Sequence, residues 1–229
     1  MAALISIATG SVLFLGVVYA CYKTGRGGVE HAKYSIVRSF KTLPLPFEVR
    51  KYEKSIAAKT FISTSSKDEM RAATSTGFRR VAGYIFGGNE KGEKIAMTAP
   101  VISIPMRQGT NTSGIELSFV LPSHIQNVNE ISKPNSDHVS LEEIPMHFAA
   151  VYGFYGSYPT PDKIEEIGKI LMQRMREEHI KAIPFPGGTI IDNESINLRV
   201  QAFDPPWTPS FLKLNEIVII AGISEMSLN

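Results

Sequence analysis

The chain alternates hydrophobic and polar residues over several short runs, which are separated by stretches rich in glycine, proline, serine and asparagine. Alternation bounded by turn residues predicts half-buried β-strands. The segment 183–188, IPFPGG, is instead typical of a loop. The predicted strands are 34–40, 47–52, 55–63, 94–106, 114–122, 138–144, 147–158, 196–203 and 214–222.

Two longer runs repeat apolar residues at the spacing of an α-helix. Residues 67–87 form one run, which ends at Gly87 and Gly88, a typical helix stop. Its buried stripe is predicted to contain Met70, Thr74, Gly77, Val81, Tyr84 and Ile85. Residues 160–180 form the other run, with Thr160 as the cap and Pro161 as the first helical residue. Its predicted buried stripe contains Ile164, Ile167, Leu171 and Met175.

Strands, a helix and further strands thus follow one another twice. This order predicts an α+β fold in which two halves share one sheet or barrel and each helix covers a sheet face. A content of 43% hydrophobic and 20% charged residues agrees with a packed globular domain. We expect a transmembrane anchor at 1–22, a polar linker at 23–32, one domain at 33–222 and a tail at 223–229.

The expected anchor carries no charged side chain between residues 2 and 22. At about 1.5 Å per residue, a helix of that length crosses a hydrocarbon core of roughly 30 Å. Lys23 and Arg26 follow at once, which predicts that the domain faces the cytoplasm. One alternative is a signal peptide cleaved near Cys21, which would leave a secreted or lipid-anchored protein. A buried globular helix is the third reading. The lack of basic residues before the apolar run favours the uncleaved anchor.

Charge and motifs exclude several classes of function. A net charge of +2 without a basic run argues against nucleic-acid binding. A single cysteine, Cys21, excludes a disulfide framework and a cysteine-based metal site. The chain contains no nucleophile elbow, P-loop, dinucleotide fingerprint or HExxH motif, and its five histidines lack metal-ligand spacing. We therefore expect a monomeric, non-enzymatic domain without catalytic residues or a bound metal site.

A candidate binding surface lies beside the buried stripe of the first helix. Its members are Phe78, Ala82 and Phe86, flanked by Arg71, Ser75 and Arg79. An apolar surface edged by guanidinium groups suits a flat apolar ligand that carries carboxylates. The alternative is that the phenylalanines pack against a neighbouring strand while the arginines face water.

The second candidate is Trp207, the single tryptophan, in the stretch FDPPWTPSFLKLNEI (203–217). The prolines around it predict a rigid loop that leads into the last strand. A large aromatic side chain on such a loop either covers a cavity or fills the core.

Four ordered motifs together resemble the SOUL haem-binding family: FEVRKY (47–52), GFRRVAGYIFGGN (77–89), KIAMTAPV (94–101) and FDPPWTPSFLKLNEI (203–217). The resemblance covers about residues 33–222. It implies a distorted antiparallel β-barrel of two pseudo-repeated halves flanked by two long helices, the fold also seen in bacterial effector-binding domains. It also implies non-covalent binding of haem or another tetrapyrrole in a groove beside the first helix and near Trp207.

KIAMTAPV is interpreted as the strand that seats the first helix, with Ile95, Met97 and Ala99 on one face. Two departures from the family affect the ligand. Some relatives have a proposed axial histidine where this chain has Lys51, and some have Arg or Lys at the positions of Ser75, Gly83 and Thr208. Arg71, Arg79 and Arg80, one turn away, are the candidates to replace those basic groups.

The sequence therefore predicts a membrane-tethered domain that carries or buffers a tetrapyrrole. The alternative is a module on the same fold that binds another flat amphiphile or a protein partner without haem. The enzyme reading is the weakest, because no nucleophile, base and orienting group can be assembled from the motifs.

Overall fold

A computed structural model of the protein describes residues 26–108 and 111–222. The expected anchor at 1–22, the first linker residues and the expected tail at 223–229 lie outside these described residues. Among the residues that are described, neither helix combines the length and the apolar character needed to cross a bilayer.

Both predicted helices are present. Helix α1 spans Met70–Ile85 and follows a 3-10 turn at Lys67–Glu69, and helix α2 spans Pro161–Glu177. The hydroxyl of Thr160 accepts a hydrogen bond from the backbone N–H of Lys163, so the predicted cap is confirmed. The predicted stripes are buried, except that Thr74 is only half-buried.

Fourteen strands occur in the described residues, and most lie where alternation predicted them. Strands β2, β3, β4 and β14 have the predicted bounds. The full set is β1 Glu30–His31, β2 Tyr34–Phe40, β3 Phe47–Tyr52, β4 Ser55–Ser63, β5 Thr98–Ala99, β6 Val101–Gln108, β7 Asn111–Val120, β8 Ser140–Ile144, β9 His147–Tyr155, β10 Lys181–Ala182, β11 Pro184–Ile191, β12 Glu194–Ile196, β13 Leu198–Ala202 and β14 Leu214–Gly222.

Ten of these strands form one sheet in the order β2-β3-β9-β14-β13-β6-β7-β4-β8, with β10 added to β14. All of the pairs in this sheet are antiparallel. Five strands separate β3 from β4 in this order, yet only Glu53 and Lys54 join them in sequence. Because the three steps from Tyr52 to Ser55 span at most about 11 Å, the sheet must curl until these strands approach each other. The expected α+β fold of a curled antiparallel sheet with two helices is therefore confirmed.

Strand register places both helices on the outer face of the curl. Paired residues of neighbouring strands point to the same face, and the pairs Thr60–Leu117, Leu117–Ser103 and Ser103–Val200 connect the two halves. Helix α1 packs on the β4–β7 half of this face, and α2 packs on the half built from β3, β9, β13 and β14. Each helix thus covers its own hydrophobic cluster on the same side of one sheet.

Helix α1 approaches the sheet closely at Gly77. A Cβ atom at this position would lie 3.2 Å from Cβ of Leu117 and 3.4 Å from Cγ2 of Thr60. These distances are tighter than ordinary van der Waals contacts, so a larger side chain would push the helix from the strands. The close contact between α1 and the sheet that Gly77 predicts is therefore present.

Three segments differ from the sequence-based expectations. The linker is part of the domain from Arg26 onward, because β1 pairs in parallel with β5 and Arg26 lies 3.6 Å from Asp204. KIAMTAPV is irregular at Lys94–Met97, and only its end pairs, with Thr98–Ala99 as β5 and Val101 as the first residue of β6. Ile95 and Met97 nevertheless pack on the α1 cluster. IPFPGG begins strand β11 rather than a loop, and a register shift lets its glycines approach β12.

Candidate functional site

The helix surface predicted to bind a ligand is divided between core and solvent. Ala82 is buried, and Phe78 is half-buried with its ring centroid 5.2 Å from that of Phe119. Phe86 ends the helix and is 61% exposed. Packing against the sheet, which was the alternative reading, thus applies to Phe78 and Ala82, whereas Phe86 remains accessible.

The two arginines of this surface face solvent. Arg71 and Arg79 are exposed, and Arg79 donates hydrogen bonds to the hydroxyls of Ser75 and Thr76 at 3.3 and 3.2 Å. Arg80, the third candidate, donates to the carbonyl of Phe61 at 3.4 Å. Arg71 and Arg79 are therefore available at the helix edge, whereas Arg80 is turned toward strand β4.

Trp207 lies on the loop between β13 and β14 and is 68% exposed, so it does not fill the core. Strand pairing connects this loop to α1. Ala202, the last residue of β13, pairs with Val101, which pairs with Phe119, the residue that contacts Phe78. Val101 and Ala202 are only half-buried. They form a floor about two strand spacings wide, roughly 10 Å, between the helix and the loop.

We call this surface the outer trough: Val101 and Ala202 form its floor, Phe78 borders it on one side, and the Trp207 loop borders it on the other. Phe86, exposed at the end of the same helix, is its predicted extension. Register therefore connects the two predicted parts of the site, although they are more than 120 residues apart in sequence. Its floor residues were not predicted, because only the pairing of β6 with β13 brings them together.

Three positions at which the family resemblance implies other residues in some relatives have different surroundings. Lys51 lies on β3, away from α1, with its ammonium 5.9 Å from the ring of Phe148. Gly83 faces open space, since a Cβ there would meet nothing within 4 Å. Thr208 is buried, and its hydroxyl lacks a hydrogen-bond partner.

The inner face of the curl contains a buried ion pair. The guanidinium of Arg50 contacts both carboxylate oxygens of Glu216, at 3.0 and 3.1 Å, and its Nε donates to Glu48 at 2.8 Å. Burial raises the pKa of Glu216, and the facing guanidinium opposes that rise. Burial, together with the nearby Glu216, also raises the pKa of Tyr52 to about 12. The sequence analysis did not identify this pair, although the charged Glu48 and Arg50 at alternate positions of FEVRKY are a local signal for one side of it.

The inner face also encloses a cavity of about 190 Å³. Its walls include Tyr52, Ile102, His147, Arg199 and Gln201. Burial lowers the pKa of His147, which stacks on Tyr52 with ring centroids 5.2 Å apart. Pockets for drug-sized ligands occupy about 300–1,000 Å³. The cavity is therefore too small to enclose a tetrapyrrole.

Within the described residues, histidine, cysteine, aspartate and glutamate side chains form no group of three or more that could hold a metal ion. Four of the five histidines are exposed, and His147 is half-buried against Tyr52.

These features define an α+β domain built on one curled antiparallel sheet. The family model described as SOUL heme-binding protein matches residues 29–220, so the chain belongs to the SOUL haem-binding family. The crystal structure of the EcmrR C-terminal domain has the same fold, with a TM-score of 0.53 and 11% identity. That alignment covers 80% of this chain and 100% of the EcmrR domain.

Two curated relatives share detectable sequence similarity. Heme-binding protein 2 of Mus musculus is 31% identical over 137 residues, which are 59% of this chain and 64% of the mouse protein. Heme-binding protein 1 of Xenopus laevis is 28% identical over 131 residues, covering 56% of this chain and 67% of the frog protein. The match thus spans slightly less than two thirds of the mouse relative.

Proposed function

We propose that this chain binds haem or a related tetrapyrrole non-covalently and acts as a carrier or buffer, with the outer trough as its site. The half-buried floor of Val101 and Ala202 between Phe78 and the Trp207 loop is the observation that carries the proposal. Family membership supports it, since the matching relatives are named as haem-binding proteins.

Burial of the ring supplies most of the affinity in this proposal. Apolar surface removed from water contributes about 25 cal/mol per Å². Phe86 and Trp207 are both more than half exposed, so each can bury further area against a flat ligand. The trough is thus an apolar surface that a planar ring can cover from solvent.

The carboxylates of the ligand would lie at the helix edge, near Arg71 and Arg79. Both side chains are exposed, so water screens each contact, and each contributes at most about 1 kcal/mol. No axial ligand enters the proposal, because Lys51 lies on β3 and a protonated ammonium does not bind iron. Binding should therefore depend on the ring system more than on the iron.

A titration with haemin and with metal-free protoporphyrin tests this proposal. Both compounds should bind the full chain saturably, with affinities within about tenfold of each other. Failure of both compounds to bind would contradict tetrapyrrole binding. It would favour the alternative, a module for another flat amphiphile or a protein partner on the same surface.

A second part of the proposal concerns the membrane. Residues 2–22 anchor the chain, and the domain faces the cytoplasm. Exposed aromatic side chains near the point of chain entry support this: Tyr155, Trp207 and Phe211 are 64%, 68% and 62% exposed. Arg26 lies 3.6 Å from Asp204 and 5.6 Å from the Tyr155 ring.

In this proposal, the short tether would hold the aromatic surface next to the bilayer. From residue 22 to Arg26 the chain can extend at most about 14 Å. The surface that Arg26 contacts must then lie close to the lipid headgroups, where tryptophan and tyrosine are favoured. The tetrapyrrole trough would share its Trp207 edge with the membrane.

Flotation of the full chain with lipid vesicles tests the anchor, and the mass of the mature protein tests cleavage. We expect co-flotation and an intact N-terminus, and a mature chain that begins at Cys21 would contradict the anchor. Brominated lipids should then quench Trp207. As a control, Trp207→Phe combined with Ile183→Trp moves the fluorophore to the opposite end of β14, about 20 Å away, and should abolish the quenching. Co-flotation without quenching of Trp207 would contradict only the aromatic contact.

A further inference from the structure

The inner cavity places two arginines in contrasting surroundings. All three guanidinium nitrogens of Arg50 contact carboxylates: both terminal nitrogens contact Glu216, and Nε donates to Glu48. Arg199 donates only through Nε, to the side-chain oxygen of Asn197 at 2.9 Å. Among the described residues, no carboxylate lies within ion-pair distance of Arg199, although it lines the cavity.

The carboxylates that act on Arg199 at longer range already pair with a lysine. Lys59 contacts Glu116 at 3.5 Å and also contacts Glu142. Both carboxylates influence Arg199 at longer range, since they oppose the lowering of its pKa by burial. The guanidinium remains charged at neutral pH. Its two terminal nitrogens therefore provide donors without an acceptor beside a space that a small anion can enter.

A neighbouring amide is also without a partner. Gln201 is 3% exposed and lines the same cavity, and its side-chain oxygen has no hydrogen-bond partner. Within the described part of the chain, the amide nitrogen of Gln201 makes no hydrogen bond either. Buried polar groups left in this condition are costly unless water or a ligand satisfies them. The phenol of Tyr52 adds another donor on the cavity wall, since burial raises its pKa to about 12 and keeps it protonated.

We propose that this cavity binds a small monocarboxylate, with Arg199 as the group that pairs with the carboxylate and Gln201 as a second hydrogen-bonding partner. A planar carboxylate matches the two-nitrogen edge of a guanidinium and forms two parallel hydrogen bonds with it. A cavity of about 190 Å³ accepts an acid of a few heavy atoms and excludes a tetrapyrrole.

The apolar part of the wall favours an organic acid over inorganic phosphate. Ile102, Val120 and Ile144 line the cavity beside the polar groups, so a small carbon skeleton finds apolar contacts there. The rim has little net charge, because Lys33 and Lys54 are matched by Glu30 and Glu53. Selection for a negative charge must therefore come from the interior, where Arg199 lies.

Calorimetric titration of the full chain in detergent micelles tests the proposal, with pyruvate as the first probe and pyruvamide as its neutral analogue. Acetate, benzoate and inorganic phosphate complete the set. We expect at least one of the monocarboxylates to bind saturably with one-to-one stoichiometry. The neutral analogue and phosphate should each bind at least about tenfold more weakly than that acid. Arg199→Gln should weaken carboxylate binding by about tenfold or more and leave haemin binding unchanged.

Three results would overturn the proposal: no monocarboxylate of the set binds, pyruvamide binds as well as pyruvate, or Arg199→Gln binds the acid as the parent does. If Arg199→Gln does not fold, Gln201→Leu replaces it. That variant should weaken the acid several-fold, and unchanged binding would also overturn the proposal. Because haemin binding is measured on the same samples, this outcome is independent of the outer trough.

Discussion

The ring of Phe78 lies 5.2 Å from the ring of Phe119, tilted by 55°, and this contact fixes helix α1 to strand β7. Phe119 pairs with Val101, and Val101 pairs with Ala202 at the start of the Trp207 loop. One row of side chains thus connects the helix to the loop. The row explains how two segments distant in sequence can border one ligand surface.

Phe86 allows a test of the trough with little effect on folding, because its side chain is 61% exposed. Phe86→Asp should weaken haemin binding by about tenfold or more, since a buried phenylalanine contributes about 1.5–3 kcal/mol. The thermal midpoint should stay close to that of the parent. Phe61→Asp, at an exposed aromatic of β4, is the matched control and should bind haemin normally. Equal affinity in both variants would place the ligand elsewhere.

Gly83 should tolerate a basic residue that improves binding. It lies on α1 beside Arg79, and a Cβ there meets nothing within 4 Å. The family resemblance implies Arg or Lys at this position in some relatives. Gly83→Arg should bind haemin several-fold more tightly than Gly83→Ala, and added salt should reduce the difference. The alanine variant controls for the gain in helix propensity. Identical affinities in the two variants would show that the carboxylates do not approach this edge.

The contact between Gly77 and Leu117 should limit the size of the side chain on α1. Gly77→Leu should lower the free energy of unfolding by about 1–3 kcal/mol through overpacking. Gly83→Leu, on the same helix but facing open space, should leave stability unchanged or slightly raised. Denaturant unfolding of the two variants measures the difference. If both unfold at the same denaturant concentration, α1 does not rest on β7 as described.

The Arg50–Glu216 pair should be among the most sensitive polar contacts. Glu216→Gln leaves a buried guanidinium with only Glu48 as a charged partner, which should cost roughly 3–5 kcal/mol of stability. Glu166→Gln, which breaks an exposed pair with Lys163, should cost less than about 1 kcal/mol. Equal losses in urea unfolding would mean that the inner face is more hydrated than its burial indicates.

Local patterns were sufficient for the helices and most strands. Alternation gave β2, β3, β4 and β14 their observed bounds, and helical spacing identified both buried stripes. Alternation predicted the wrong structure for most of KIAMTAPV, because Ile95 and Met97 pack on α1 from an irregular segment rather than from a strand. The loop predicted at IPFPGG is part of strand β11, where Gly188 lets β11 lie close to β12. A Cβ at Gly188 would lie 2.2 Å from the carbonyl oxygen of Ile196.

The site residues divide in the same way. Phe86 and Arg79 follow from helix geometry alone, because a helix fixes which side chains share a face. The trough floor depends on strand pairing across most of the chain, for which the sequence carries no local signal. Arg199 and Gln201 share a face of β13 by alternation, but the cavity that they line depends on the same long-range pairing. Those residues become visible only when the curled sheet brings β6, β13 and β3 together.

Fluorescence of Trp207 during a haemin titration tests the tetrapyrrole trough most directly, since Trp207 is the single tryptophan and lies at the trough edge. We predict that haemin quenches Trp207 saturably in the parent, in step with the change in the Soret band. Phe86→Asp should require about tenfold or more haemin for the same quenching. A Soret change that saturates without quenching Trp207, or quenching that is identical in Phe86→Asp, would contradict the outer trough as the tetrapyrrole site.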